Sequence, residues 1–342
     1  MTTPGGQISA ADIRNEFGAT NANGSVSLGA YRINQDISGL GELPLDMGVP
    51  QSGIIKYHDM RNKSLNVVVD YYSGGTVYRQ DARDKYNNQQ VNYVGGFYNN
   101  THTNPPSAGT GTKVIIHVNK SIGSSKDSQN HVALKTGTWS GSTELRVDVG
   151  GSGKIYGAGG NGGAGAGGES NGNPGSHGTS ALGVQHDCTV NIMNGGYIQA
   201  GYGGGGGGGG GYDSDKHDDE LGSGGGGGGG AGLPVGSGGA GGDGWEADGE
   251  GGDNGGNTTA GEGGNGGNSD NEGIGGNGGD GGSPGENADN GGGGSGNNGT
   301  GSGGAKGDNG IAVRRTSGSI TVHYTGETDR IIGATQVTGA IS

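Results

Sequence analysis

A cluster of carboxylates between two glycine runs is the densest group of side chains in this sequence that could do chemistry. Carboxylate oxygens are ligands that Ca²⁺ prefers, but the spacing is not that of an EF-hand loop. Ca²⁺ held by residues 213–220 is the one cofactor that we leave open. The flanking glycines predict an exposed loop tip, which either is solvated or contacts another surface. Its candidate residues are Tyr212, Asp213, Asp215, His217, Asp218, Asp219 and Glu220.

A second candidate loop places an aromatic side chain beside carboxylates. Trp245 is followed by Glu246 and Asp248. An exposed indole beside carboxylates can stack on a sugar, but a single Trp among glycines can equally cover the ends of packed segments. Both interpretations stay open at the level of the sequence.

No combination of residues predicts catalysis. The eight His residues are scattered, and none forms a Ser, His and Asp set or a metal-binding His pair within one element. The many Gly-x-Gly-x-x-Gly matches lack the Lys-Ser or Lys-Thr of a P-loop and any βαβ context, so they do not predict nucleotide binding. Cys188 is the one cysteine and is predicted to be a small buried thiol. We therefore expect no enzyme.

Glycine dominates the composition, with 93 of 342 residues, whereas only 27% of the chain is hydrophobic. One ordinary hydrophobic core cannot extend through such a chain. Most of the glycines and of the net charge of −14 fall in residues 157–311. An acidic body repels nucleic acid and anionic membranes, so neither is an expected partner. No apolar run reaches the roughly 18 residues of a membrane span, so no membrane insertion is expected.

A period of three residues runs through the glycine-rich body. From Gly249 to Gly294 every third residue is Gly, except at Thr258, Asp270 and Ala288. This is the period of a polyproline II-type helix, and a flexible linker has no reason to keep it. Collagen is disfavoured because the body has too few prolines. The three exceptions are interpreted as reversals at 257–259, 269–271 and 287–290. The uninterrupted runs 203–211 and 224–230 are predicted to be surrounded on every side, with Asn, Asp and Glu lining the outer helices.

The sequence contains an internal repeat at an offset of 43, and each of its first two copies is followed by a glycine-rich stretch. Residues 147–155 align without gaps to residues 190–198, and a looser third copy covers 319–324 and 331–332. In each copy apolar and polar residues alternate, glycines follow, and the alternation then resumes. This pattern predicts a β-hairpin that leads into a glycine helix.

A weaker repeat at an offset of 47 marks the N-terminal segment. Residues 8–15 and 55–62 share Ile, Asp, Arg and Asn at equal spacing, and each copy is predicted to form one short helical turn that starts at Ser9 or Lys56. A segment this polar fits a docking unit better than an independent domain. Its candidate docking residues are Ile8, Asp12, Ile13, Arg14, Phe17, Ile55, Asp59, Met60 and Arg61.

These patterns together predict a mainly β fold with polyglycine II and almost no α-helix, in which short β-hairpins flank a bundle of packed glycine helices. Four divisions are expected along the chain. They are a docking segment at 1–65, a β region with a long polar insert at 66–156, the polyglycine sandwich at 157–311, and a β segment at 312–342 that completes the hairpin stack.

Short phrases of this sequence resemble a known family. Residues 154–163 and 197–201 look like the glycine-rich domain of bacteriophage tail fibres and their tip adhesins, and residues 6–18 and 24–28 resemble segments frequent in phage tail proteins. The resemblance implies a polyglycine sandwich whose distal loops contact the host. It makes the two candidate loops host-contact loops and places the protein in the virion tail or fibre, after synthesis in the host cytoplasm.

The resemblance also implies the partners. Other virion tail proteins are expected at the N-terminus, and a host surface glycan or outer-membrane protein at the loops. A homo-oligomer such as a trimer is a further expectation, because trimers are common among fibres. Two alternatives remain: a purely structural fibre, tail or decoration protein, and an ice-binding protein, since polyglycine bundles with flat faces serve that role.

Overall fold

The computed structural model describes residues 7–17, 28, 53–61, 66–72, 74–88, 91–93, 101–102, 113–141, 143–214, 219–244, 248–268 and 273–342. Two parts are visible in them, a β-solenoid with three sheets and a body of extended glycine segments. The helices are α1 (Ala10–Phe17) and α2 (Ala82–Asn87), with 3-10 turns at Tyr57–Met60 and Thr328–Arg330. The predicted mainly β fold with almost no α-helix is confirmed.

The strands follow one another around the solenoid in five coils, each coil giving one strand to each sheet. The first coil contains β1 (Asn66–Tyr71), β2 (Val77–Tyr78) and β3 (Gln80–Asp81), followed by β4 (Val91–Tyr93) and β5 (Thr101–His102), which extend the first sheet antiparallel to β1. The second coil contains β6 (Lys113–Val118), β7 (Ser121–Gly123) and β8 (Val132–Lys135).

Three further coils complete the solenoid. The third contains β9 (Glu144–Val149), β10 (Lys154–Tyr156) and β11 (Ser180–Val184). The fourth contains β12 (Cys188–Ile192), β13 (Tyr197–Gln199) and, after strands β14 (Gly211–Ser214), β15 (Asp219–Gly222) and β16 (Gly299–Thr300) of a separate sheet, β17 (Val313–Arg315). The fifth contains β18 (Val322–Gly326), β19 (Ile331–Ile332) and β20 (Thr335–Thr338). Every coil-to-coil pairing is parallel.

Aliphatic side chains at equivalent positions of successive coils stack into the solenoid core. Each of the rows that follow is in register and fully buried, so each side chain contributes about 1.5–3 kcal/mol by leaving water. The rows are Val69, Ile116, Val147 and Val190 in the first sheet, Ile122, Ile155 and Ile198 in the second, and Leu134, Leu182 and Val313 in the third.

A polar row crosses the outer face of the first sheet. Asp70, His117, Asp148 and Asn191 are in register on β1, β6, β9 and β12. The His117 Nδ1 lies 3.0 Å from the Asp70 Oδ1, and the Asn191 Nδ2 donates to the Asp148 Oδ1 at 3.0 Å. Side chains of the row thus link the first coil to the second and the third coil to the fourth, in addition to the backbone hydrogen bonds between coils.

The repeat at an offset of 43 is confirmed, but its predicted hairpins are wrong. Lys154 pairs with Tyr197 and Ile155 with Ile198 in parallel, so each copy pairs with the other copy and not with itself. The two strands of one copy belong to different sheets. The glycines at 150–153 turn the chain through a corner, where the Gly153 N–H donates to the Gly150 oxygen at 2.8 Å. The third copy forms the fifth coil, with Cys188 opposite Val322.

The glycine body is inserted into the solenoid at equivalent places, between the second and third strands of the third and fourth coils. Ten extended segments of the described residues form three layers. The first layer contains 170–179, 157–167 and 236–243, the second contains 300–311, 200–210, 223–232 and 249–256, and the third contains 288–294, 273–282 and 260–268.

Backbone hydrogen bonds in the middle layer repeat every third residue. The N–H groups of Gly204 and Gly207 donate to Ser176 and Asn173 in the first layer, whereas those of Gly205 and Gly208 donate to Gly228 and Gly225 in the middle layer. The N–H groups of Gly206 and Gly209 donate to Asp289 and Gly292 in the third layer. Three successive residues thus face three neighbours, as a helix with three residues per turn requires.

The carbonyls of the same segment accept from three further neighbours, so segment 203–210 lies within a ring of six. Segment 223–232 is enclosed in the same way. The prediction that the two side-chain-free runs are surrounded on every side is confirmed. This close packing requires glycine, because a Cβ on these residues would overlap a neighbouring backbone.

Two of the three predicted reversals can be compared with the structure. The chain turns at 257–259 as predicted, where the Gly256 N–H donates to the Thr259 oxygen at 2.8 Å. The reversal predicted at 287–290 is wrong, because Ser283 bridges Glu286 and Ala288 is buried within a segment. Gly285 supplies the left-handed conformation of that turn, at a φ of +91°. The reversal predicted at 269–271 lies outside the described residues.

Candidate functional site

Turns at one end of the glycine body rest on the solenoid. The Ser124 N–H donates to the Leu233 oxygen at 2.9 Å, and the Gln199 Nε2 donates to the Asn257 oxygen at 2.8 Å. The Lys126 Nζ donates to the Asn161 Oδ1 at 2.7 Å. The loops at the other end of the segments are therefore directed away from the solenoid.

The first predicted loop is a β-hairpin at that far end. Tyr212 pairs with Leu221 and Asp213 with Glu220 in β14 and β15, and β16 joins as a third strand. Of the predicted contact residues, Asp215, His217 and Asp218 lie outside the described part of the chain. The backbones of Asp219 and Glu220 form the second strand of the hairpin.

Asp213 has a structural partner. Its side chain is largely buried, and the Asn297 Nδ2 donates to the Asp213 Oδ2 at 3.0 Å. The Asn298 Nδ2 donates to the Ser214 oxygen at 2.7 Å, which ties the same hairpin to residues 297–298. No group of three or more His, Cys, Asp or Glu side chains suited to a metal occurs among the described residues.

Three other loops meet the hairpin. A Cβ on Gly168 would touch the Leu221 side chain, and one on Gly167 would overlap the Asp243 oxygen, so the turn at 167–170 adjoins both the hairpin and the turn at 243. Asp248 accepts a hydrogen bond from the Gly244 N–H at 3.0 Å, whereas Trp245 and Glu246 lie outside the described residues. Ile274, bridged to Ser295, is 48% exposed. We call the described residues 211–214, 219–222, 243–244, 248, 268, 273–274 and 295–300 the distal surface.

The sides of the glycine body use their polar residues internally. Amide and carboxylate oxygens of outer segments accept from backbone N–H groups of adjacent segments at 2.8–3.0 Å. The pairs are Asn161 with Ser237, Asn254 with Gly238, Asp280 with Gly263, Asn277 with Gly266, and Asn171 with Ser302. The sequence predicted that such residues line the outer segments. It did not predict that their side-chain oxygens accept hydrogen bonds from backbone N–H groups in place of a neighbouring carbonyl.

The N-terminal repeat forms the two predicted helical turns. The Ser9 N–H donates to the Asp12 Oδ2 at 2.8 Å, and the Lys56 N–H donates to the Asp59 Oδ2 at 2.7 Å. The backbone N–H and the hydroxyl of Ser9 hold the pKa of Asp12 below its usual value. In both copies the Asp three residues into the turn thus satisfies a backbone donor at its start.

The candidate docking residues divide into buried and exposed sets. Ile13, Ile55 and Met60 are buried and belong to the same hydrophobic cluster as the solenoid strands, and Ile8 packs against that cluster. These side chains attach the segment to its own solenoid. Asp12 and Asp59 are half-buried, Arg61 is exposed, and the side chains of Arg14 and Phe17 lie outside the described part. The sequence missed the exposed neighbours Ile54 and Tyr57, which are 83% and 44% exposed.

In the described residues a β-solenoid thus carries a long glycine-rich insertion, whose loops form one surface at the far end. The family model for the phage tail fibre adhesin Gp38 matches residues 83–336, which is well over half of the chain. The chain belongs to the phage tail fibre adhesin Gp38 family. It is a receptor-binding component of the virion tail fibre, and the expected resemblance is confirmed.

One solved structure is also similar to this chain. The crystal structure of the gp37-gp38 adhesin tip complex of the bacteriophage S16 long tail fiber aligns with 98% of this chain and 100% of its own, at 17% identity and a TM-score of 0.38. No curated protein sequence matches the chain. Within the described residues, no helix is long and apolar enough to cross a membrane.

The family decides between the functions that the sequence left open. An adhesin attaches the particle to its host, so the purely structural and ice-binding alternatives give way to receptor binding. Membership of an adhesin family also implies an attachment role and not a catalytic one.

Proposed function

We propose that the distal surface contacts the host cell, and that the N-terminal segment holds the adhesin on the tail fibre. One observation carries the first part: the loops of the glycine body gather at the end directed away from the solenoid. The core segments between these loops are rich in glycine and present few side chains for recognition. Recognition by side chains therefore depends on the loops, as is usual where a rigid scaffold carries them.

The chemistry of the distal surface fits a partner that offers both apolar and polar contacts. Ile274 is half exposed beside Ser295, and Tyr212 and Leu221 are partly exposed on the hairpin. Tyr side chains are frequent anchors of protein interfaces, and exposed apolar side chains that lie together mark interaction sites. A host outer-membrane protein is therefore favoured over a surface glycan. Ca²⁺ at 213–220 and a trimeric assembly remain expectations of the sequence.

The second part of the proposal rests on the exposed side chains of the N-terminal segment. Ile54 and Tyr57 lie on either side of the buried Ile55 in the sequence, and Arg61, four residues beyond Tyr57, is exposed as well. Exposed apolar side chains mark interaction sites, and Tyr and Arg are enriched in protein interfaces. We assign to these side chains the attachment to another tail fibre protein.

The test of the distal surface compares two exposed apolar residues at opposite parts of the molecule. Fluorescently tagged Ile274→Asp should bind intact host cells at least about tenfold more weakly than the unaltered chain, because it places a charge in the contact. Val337→Asp, on the last solenoid strand and 39% exposed, is the matched control and should bind normally. Equal binding by both variants, with equal melting temperatures, would exclude Ile274 from the contact. Removing protein or glycan from the cells first distinguishes the two receptor classes.

A further inference from the structure

We infer that the turn at Asn194 and Gly195 is a site of spontaneous deamidation in the folded protein. In an Asn-Gly pair the glycine nitrogen can attack the asparagine side chain, and no Cβ on the glycine obstructs it. The described residues contain nine such pairs. Their asparagines are Asn161, Asn171, Asn194, Asn254, Asn265, Asn277, Asn290, Asn298 and Asn309.

In seven of these pairs the attacking nitrogen is occupied. The glycine N–H groups of these pairs donate at 2.7–3.0 Å to oxygens of adjacent segments. Attack requires the hydrogen bond to open and the segment to leave its packed position, which slows the reaction by the cost of local opening. The occupied nitrogens are those of Gly162, Gly172, Gly255, Gly266, Gly278, Gly291 and Gly310.

The eighth pair is restrained through its asparagine. The Asn298 Nδ2 donates both to the Ser214 oxygen at 2.7 Å and to the Ser214 Oγ at 2.9 Å. The side-chain amide that would be attacked is therefore fixed on the hairpin by two hydrogen bonds, which must open before it can turn towards the Gly299 nitrogen.

The Asn194 pair differs from the other eight. Asn194 is exposed at the corner between β12 and β13, and Gly195 has a φ of +90°. The Gly195 N–H faces the Glu327 Oε2 at 3.4 Å, a distance at which a hydrogen bond is weak. The turn itself is closed one residue later, by the Gly196 N–H on the Met193 oxygen at 2.8 Å. The Gly195 nitrogen can therefore react without the loss of a strong hydrogen bond.

The reaction needs only water. The Gly195 nitrogen loses its proton and bonds to the Asn194 Cγ, the bond from that carbon to its amide nitrogen breaks, and ammonia leaves with the proton. Water then opens the cyclic imide at either carbonyl, which gives aspartate or isoaspartate at position 194. The Glu327 carboxylate faces the neighbouring Gly195 N–H, so a new negative charge at position 194 should loosen the corner between the fourth and fifth coils.

The test follows each asparagine by peptide mass spectrometry, with fragmentation to assign the site, after the full chain is incubated at mildly alkaline pH. In the folded protein Asn194 should convert at least about tenfold faster than Asn161 or Asn277. In urea this difference should disappear, because the hydrogen bonds that protect the other pairs are lost. The Asn194→Gln variant should show no conversion at this corner and unchanged rates elsewhere.

Two results would overturn the inference. One is conversion of Asn194 in the folded chain no faster than that of Asn277. The other is a rate difference that persists in urea, because the local sequence and not the fold would then set it. Neither result bears on receptor binding.

Discussion

Several ionisable side chains lie in apolar surroundings of the solenoid and of its junction with the glycine body. Burial raises the pKa of the Cys188 thiol and of the Tyr202 and Tyr324 phenols to about 12, and it raises the pKa of Tyr71 as well. Each group is kept in its neutral form because the charged form would lose its hydration. The sequence predicted the buried thiol from its alternating segment, and that prediction is confirmed.

These shifts predict alkaline unfolding. The ordinary values are 9.0 for the thiol and 10.0 for the phenols, so the folded protein holds protons that the unfolded chain has already released. Their contribution to stability is complete below about pH 9 and falls as the pH rises towards about 12. The urea midpoint, followed alongside tyrosinate absorbance, measures this fall. The Tyr202→Phe substitution should make the fall of the midpoint smaller, whereas Tyr57→Phe, at an exposed residue, should leave the fall unchanged. A midpoint constant over this range would contradict the assignment.

At the scale of elements, the two enclosed glycine segments depend on the absence of side chains. A Cβ on Gly207 would overlap the Ala164 carbonyl oxygen, whereas one on Gly293 would lie 3.4 Å from the Gly301 oxygen. Gly207→Ala should therefore lower the free energy of unfolding by about 3 kcal/mol or more, because neither backbone can move without breaking the hydrogen bonds of its neighbours.

Gly293→Ala is the matched control for this prediction. Its position is exposed on an outer segment, and a change within about 0.5 kcal/mol is expected. Urea unfolding of both variants provides the measurement. Equal effects at the two positions would mean that the middle layer is not packed as closely as the structure has it.

The period of the elements was easier to predict than their partners. The three-residue period and the alternating strands are local patterns, and both identified elements correctly. Whether the chain reverses or turns a corner after Val149 is decided by strands from other coils, and glycines permit either course. The polar row was not predicted either. Its residues Asp70, His117, Asp148 and Asn191 are separated by unequal stretches of chain, so no single period in the sequence connects them.

For the molecule as a whole, the same division applies to the candidate site. The loops at 212–220 and 243–248 were identified as sequence between glycine runs, but the common position of their described residues could not be predicted. That position depends on the order of ten segments in three layers, which long-range hydrogen bonds fix. Ile274 was missed for the same reason, because one isoleucine among glycines has no local pattern that marks it as part of the distal surface.

The two parts of the molecule bury different kinds of surface, which predicts an unusual heat capacity of unfolding. The large buried hydrophobic residues of the described chain lie almost all in the solenoid, whereas the glycine body buries mainly peptide groups. Exposure of apolar surface raises the heat capacity and exposure of polar surface lowers it. The change per residue should therefore lie below the roughly 12 cal/mol/K at the low end for globular proteins. Scanning calorimetry at several pH values gives it from the slope of enthalpy against temperature. A value at the globular average would mean that apolar burial, and not backbone hydrogen bonding, orders the glycine body.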